Sequence, residues 1–100
     1  MQLRQQIGLV TGGTKGIGAA TAIALATEGA DIAIVGRRLD AAAEETRRHI
    51  EALGRRCLLI RADVAVPGEA TRCVEAAAKA LGSVDVLVHS AGGPVNGDIG

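Results

Sequence analysis

The chain repeats one unit. Short apolar runs, Ile7-Gly8-Leu9-Val10, Ile32-Ala33-Ile34-Val35, Cys57-Leu58-Leu59-Ile60 and Val84-Asp85-Val86-Leu87-Val88, alternate with longer helical patterns. The spacing is about 25 residues, as expected for successive strand–helix units. Three of the four runs are almost continuously apolar, which is how strands read when both faces of a parallel sheet are covered. Right-handed crossovers between such strands give a doubly wound α/β sheet. Its strand order becomes 3-2-1-4 if the fourth strand reverses the direction of growth, and a ligand crevice then lies at the carboxyl ends of the first and fourth strands.

The segments between the runs carry helical spacing. The first, from about Ile17 to Glu28, holds Ala19, Ala20, Ala22, Ile23, Ala24, Leu25 and Ala26. A helix apolar on nearly every side is expected to be buried. Gly29 suits its left-handed cap. The second has Asp40 as its N-cap, a stripe of Ala42, Ala43, Thr46, Ile50 and Leu53, and a wet side of Glu44, Glu45, Arg47, Arg48 and Glu51. Gly54 ends it. The third is expected to start near Pro67, which fits a first helical turn. Its stripe is Ala70, Cys73, Val74, Ala77 and Leu81, and Gly82 closes it.

Composition narrows the classes. One hundred residues make one small domain, in which roughly a third of the unfolded surface stays exposed. With 48% hydrophobic residues, 22% charged residues and zero formal net charge, the chain is neither a disordered tail nor a bulk polyanion binder. Nucleic-acid binding is disfavoured further by the lack of any aromatic stacking platform. No apolar run approaches the roughly 18 residues needed to span a bilayer. The N-terminus Met1-Gln2-Leu3-Arg4-Gln5-Gln6 has no apolar signal core. Cys57 and Cys73 suit small hydrophobes in a reducing compartment, so a cytoplasmic location is the expectation. With no Phe, Tyr or Trp in the chain, the core must be built from Ala, Val, Ile and Leu.

Between the first run and the first helix lies Thr11-Gly12-Gly13-Thr14-Lys15-Gly16-Ile17-Gly18. A glycine-rich loop that follows a strand and opens a helix is the context of a dinucleotide-phosphate site. Gly12 permits a tight turn, Gly16 a close backbone approach to a pyrophosphate, and Gly18 close packing of helix on strand. The N–H groups opening the helix would face the anion. An ordinary glycine-rich turn is the plainer alternative. An ATP-type P-loop does not fit, because Lys15 is followed by Gly16 and not by the Ser or Thr that would hold magnesium.

The spacing Thr-Gly-x-x-x-Gly-x-Gly resembles the short-chain dehydrogenase/reductase pattern. Arg37-Arg38 after the second run, Asp63-Val64 after the third, and His89-Ser90-Ala91-Gly92 after the fourth follow the same family's order, the last in place of its Asn-Asn-Ala-Gly. The resemblance covers essentially the whole chain. It implies a single, incomplete NAD(P)-binding domain of Rossmann type over residues 1–100. The cofactor site would comprise Gly12, Thr14, Lys15, Gly16, Ile17, Gly18, Arg37, Arg38, Asp63, Val64, Ser90, Ala91 and Gly92. An acidic residue at the end of the second strand would bind a ribose 2′-hydroxyl and repel a 2′-phosphate. Gly36, Arg37 and Arg38 stand there instead, and an arginine fork fits a phosphate with paired charge-assisted bonds. NADP is therefore expected in preference to NAD, with Lys15 as a second cation. The alternative for Arg37 and Arg38 is that they are solvated loop charges. In the family Asp63 accepts from the adenine amino group and Val64 lies beside the ring, although Asp63 could instead cap the helix entering at Pro67. His89 reads as a strand-end residue bonded to backbone more readily than as a base, and His49 as a surface residue.

The family transfers a hydride between the nicotinamide and a carbonyl or secondary alcohol on a small-molecule substrate, using a Ser and a Tyr-x-x-x-Lys pair. This chain has no tyrosine, Ser83 and Ser90 do not occupy the catalytic serine's place, and no catalytic or metal-ligating residue is assigned. The stretch from Gly93 to Gly100 reads as a loop without a closing element. The expectation is a fragment or truncated product, with an open edge at the fourth strand that favours homo-oligomers. A non-catalytic protein that binds nucleotide, or only assembles, is the alternative to an enzyme portion.

Overall fold

A computed structural model of the chain describes residues 5–12 and 16–90. The order is β1 (Ile7–Thr11), α1 (Gly16–Thr27), β2 (Asp31–Gly36), α2 (Ala41–Ala52), β3 (Cys57–Arg61), α3 (Glu69–Leu81) and β4 (Val86–His89). The strands are all parallel, in the order β3-β2-β1-β4. This is the expected Rossmann-like α/β arrangement, with its switch of direction between β1 and β4.

Alternation along each strand divides the core between two faces. Val10, Ile32 and Ile34 meet Ala22 and Ala26 of α1 and Ile50 of α2 on one face. Leu9, Ala33, Val35, Ile60 and Ala62 meet Cys73 and Ala77 of α3 on the other. Small residues let the layers approach. A Cβ built on Gly8 would lie 3.4 Å from Leu25 Cδ1 of α1. Each aliphatic side chain fully removed from water contributes about 1.5–3 kcal/mol, and Leu9, Val10, Ile32, Ile34, Val35 and Ile50 are all fully buried.

Helix ends follow the expected chemistry with one correction. Asp40 accepts from the N–H groups of Ala42 and Ala43 at the start of α2. Gly29, Gly54 and Gly82, after the three helices, each have positive φ. The third helix, however, starts at Glu69 and not near Pro67, because Gly68 takes φ +89° and breaks any helical path from the proline. Ala70 of its expected stripe lies in the first turn and is exposed.

Two further expectations are revised. α1 buries Gly18, Ala22 and Ala26, while Ile17, Ala20 and Ala24 are exposed. Alanine favours helix and is cheap to expose, so an all-apolar helix need not be covered on all sides. β4 begins at Val86, two residues inside the apolar run. Asp85 just before it donates its N–H to Ile7 O and accepts from Ile7 N–H through its carboxylate. The edge at β4 is open among the described residues, with Leu87 60% exposed.

Candidate functional site

The carboxyl ends of all four strands gather at one end of the sheet, because every pairing is parallel. There β1 is tied to both neighbours. Gly12 N–H donates to Val35 O at 2.8 Å, and Ser90 N–H to Thr11 O at 3.1 Å. The buried Thr11 hydroxyl is hydrogen-bonded to His89 Nδ1 at 2.8 Å. His89 is thus a strand-end residue, but its partner is a side chain and not backbone. These contacts hold the turn out of β1 against the ends of β2 and β4, the place where an open α/β sheet forms its crevice.

Gly12 turns with φ +72° and Gly16 opens α1 with φ +66°. A Cβ on Gly16 would meet nothing within 4 Å, so conformation and not crowding calls for glycine there. Gly18 is buried in the first turn of α1. The three helices differ in their first turns. α2 carries Glu44 and the Asp40 cap, α3 carries Glu69, and α1 carries no acidic residue. Its N-terminal N–H groups therefore face no carboxylate of their own helix, which suits an external anion. Ile17 beside them is 81% exposed.

Arg37 and Arg38, just past the end of β2, are exposed. Neither guanidinium has a hydrogen bond or ion pair among the described residues. Gly36, the last residue of β2, pairs in register with Arg61 at the end of β3. Asp63 neither caps α3 nor stands alone: its Oδ1 accepts from Ala65 N–H at 3.0 Å, while its carbonyl accepts from Val66 N–H. This Asx turn shapes the loop beyond β3. Val64 packs against the core cluster under α3, and Ser90 is half-buried. Thr14, Lys15, Ala91 and Gly92 lie outside the described residues. The structure thus brings Gly12, Gly16, Ile17, Gly18, Arg37, Arg38, Asp63, Val64 and Ser90 to one end of the sheet and its adjoining loops. No group of three or more His, Cys, Asp and Glu among the described residues could hold a metal ion, and none of the described helices is long and apolar enough to cross a membrane.

Two features escaped the sequence. The Thr11–His89 bond joins residues 78 apart, and the only local hint was a histidine where the resembled pattern has asparagine. Arg61 gave a weak signal, a lone cation ending an apolar run and two residues before Asp63.

Comparison with known proteins agrees with this geometry. The short chain dehydrogenase family model matches residues 6–99. General stress protein 39 of Bacillus subtilis is 45% identical over 91 residues, 91% of this chain and 32% of that protein. L-rhamnose 1-dehydrogenase (NAD(P)(+)) of Sphingomonas sp. is 45% identical over 84 residues, 84% of this chain and 33% of that protein. A short chain dehydrogenase from Burkholderia cenocepacia, solved in complex with NADP, superposes with a TM-score of 0.82 at 44% identity, covering 87% of this chain and 36% of that one. The chain spans about a third of the length of the curated relatives it matches. Over that third, sequence and backbone fold agree, and the chain belongs to the short-chain dehydrogenase family.

Proposed function

We propose that the chain binds NADP(H) across the carboxyl ends of its strands, as the cofactor-binding portion of an oxidoreductase. The whole protein would transfer a hydride between NADP(H) and a carbonyl or secondary alcohol of a small-molecule substrate. The observation that carries the cofactor choice is the end of β2, where Gly36 is followed by two exposed arginines without a carboxylate partner among the described residues. An acidic residue would stand there for a bare ribose. The NADP complex of the Burkholderia relative supports the same choice.

In this reading the α1 N-terminus receives the pyrophosphate between Gly12, Thr14, Lys15, Gly16 and Gly18. Arg37, with Arg38 and Lys15, receives the 2′-phosphate. Asp63, whose Oδ1 already takes Ala65 N–H, presents acceptor capacity to the adenine amino group, and Val64 lies beside the ring. Ile17 offers apolar surface to the cofactor, while Ser90, Ala91 and Gly92 border its ribose. The bound cofactor supplies or accepts the hydride; the residues of this chain bind and orient it. A cytoplasmic location and a homo-oligomer complete the proposal. The half-exposed edge at β4, with Leu87, favours association and also supports a second reading in which the chain binds nucleotide or assembles without turnover.

Isothermal titration with NADP and NAD tests the cofactor choice. NADP is expected to bind at least about tenfold more tightly, the scale of one phosphate–guanidinium pair. Equal affinities would remove the 2′-phosphate role of Arg37 and Lys15.

A further inference from the structure

The arginines of the described residues fall into two groups. Arg47, Arg55, Arg56 and Arg72 are engaged: Arg47 with Glu44 and Glu51, Arg55 with Gly29 O, Arg56 with Asp31 and Leu81 O, and Arg72 with Glu69. The guanidinium groups of Arg37, Arg38, Arg48 and Arg61 have no partner among the described residues. Arg48 lies on the wet side of α2. The other three sit together at the ends of β2 and β3.

We propose that Arg61 is a further cation of the ribose-phosphate subsite, acting beside Arg37 to select nucleotides that carry a 2′-phosphate. This rests on the reading that the chain binds NADP(H). Arg61 pairs in register with Gly36, and Ala62 N–H donates to Gly36 O at 3.0 Å, so the last rung of the β2–β3 ladder adjoins Arg37. Cys57 and Leu59 pack with the α1–α2 face, Leu58 and Ile60 with the α3 face. Alternation therefore places Arg61 on the α1–α2 face. Its cross-strand neighbour on that face is Gly36, so no side chain on β2 occupies the slot between Arg61 and the phosphate loop.

The surroundings keep this charge uncompensated. Arg72 donates to Arg61 O, but its own guanidinium is matched by both oxygens of Glu69. Asp63 forms its Asx turn and no ion pair with Arg61. Two guanidinium groups on adjacent strand ends can share the oxygens of one phosphate dianion, each by charge-assisted bonds. Because Arg61 is exposed, solvent screening limits its contribution to a few-fold in affinity.

The test is calorimetric titration of the chain with 2′,5′-ADP and with 5′-AMP, which differ by the 2′-phosphate. Arg61→Met should weaken 2′,5′-ADP about fivefold and leave 5′-AMP unchanged, while Arg61→Lys retains most of the preference. Arg48→Met, an exposed and equally unpaired arginine, should change neither. If Arg61→Met leaves 2′,5′-ADP binding intact while Arg37→Ala weakens it, Arg61 has no part in the subsite and the NADP reading stands. Equal losses for both nucleotides would also overturn the assignment. If the unaltered chain shows no preference for 2′,5′-ADP, the NADP reading itself falls, and Arg61 with it.

Discussion

The two ends of the sheet are built to opposite rules. At the amino end polar groups are matched within the fold. Arg56 gives its backbone N–H and its Nε–H to the two oxygens of Asp31 and reaches Leu81 O at the close of α3. Arg55 reaches Gly29 O at the close of α1. Asp85 accepts from both Ile7 N–H and the Ser83 hydroxyl. At the carboxyl end Arg37, Arg38 and Arg61 have no such partners among the described residues, and the first turn of α1 lacks a carboxylate. Satisfied polar groups hold a fold together, whereas unmatched cations around a helix N-terminus leave electrostatic capacity for a ligand. On the proposed reading the amino end serves stability and the carboxyl end recognition.

The sharpest way to break this contrast is to reverse charge at the carboxyl end. Arg37→Glu is expected to weaken NADP binding about 100-fold, since it removes an attraction and adds a repulsion, while the melting temperature stays within about 1 °C. A large loss of stability would show that Arg37 belongs to the framework after all. The complementary change at the amino end is Asp31→Ala, which leaves the Arg56 backbone N–H and Nε–H without their acceptor. It should cost about 2 kcal/mol in chemical denaturation and leave the ratio of NADP to NAD affinity unaltered.

Asp31 also sets a pH dependence. Its partial burial would raise the carboxyl pKa, but the Arg56 backbone N–H and guanidinium, with Arg55 nearby, outweigh this and hold it below the usual value. A depressed folded-state pKa gives stability that is present above the unfolded carboxylate range and is lost as pH falls through the folded value. The stability difference between the chain and Asp31→Asn should therefore be full at pH about 6 and shrink below about pH 4, where the unfolded aspartate begins to hold its proton. A difference that does not vary with pH would remove Asp31 from the account of the amino end.

The smallest effect concerns the thiols. Burial, aided by Glu51, pushes Cys57 up to about 12, and burial raises Cys73 as well. Alkylation at pH about 8 should be slow for both until the chain unfolds, because the thiolate is the nucleophile. Fast modification of the native chain would mean that the β3–α2 packing around Cys57 is looser than described.

Much of the fold was legible because its signals are periodic and local. Apolar runs, glycine-closed helices and the Asp40 cap each occupy a few adjacent residues, and their alternation gives the α/β class, while the switch of growth direction at β4 was only a condition until the pairing of β1 with β4 was seen. Proline at 67 misled because Gly68 beside it adopts positive φ and delays the helix to Glu69. The all-apolar α1 misled because alanine content reports helix propensity as much as burial. For the candidate site, the loop glycines and the arginines after β2 stand in recognisable positions. The Asx turn at Asp63, the Thr11–His89 bond and the register of Gly36 with Arg61 needed the folded chain. The last two depend on neighbours across strands, and no local pattern encodes them.

On this reading nucleotide meets the carboxyl end of the sheet and leaves the amino end untouched. Backbone amide shifts followed by NMR during titration with NADP test it most directly. Saturable shifts are expected at Gly12, Gly16, Ile17, Gly18, Arg37, Asp63 and Ser90, with Asp31, Arg56, Ser83 and Asp85 unmoved. Shifts centred on the amino-end residues, or none at the carboxyl end under saturating NADP, would contradict it.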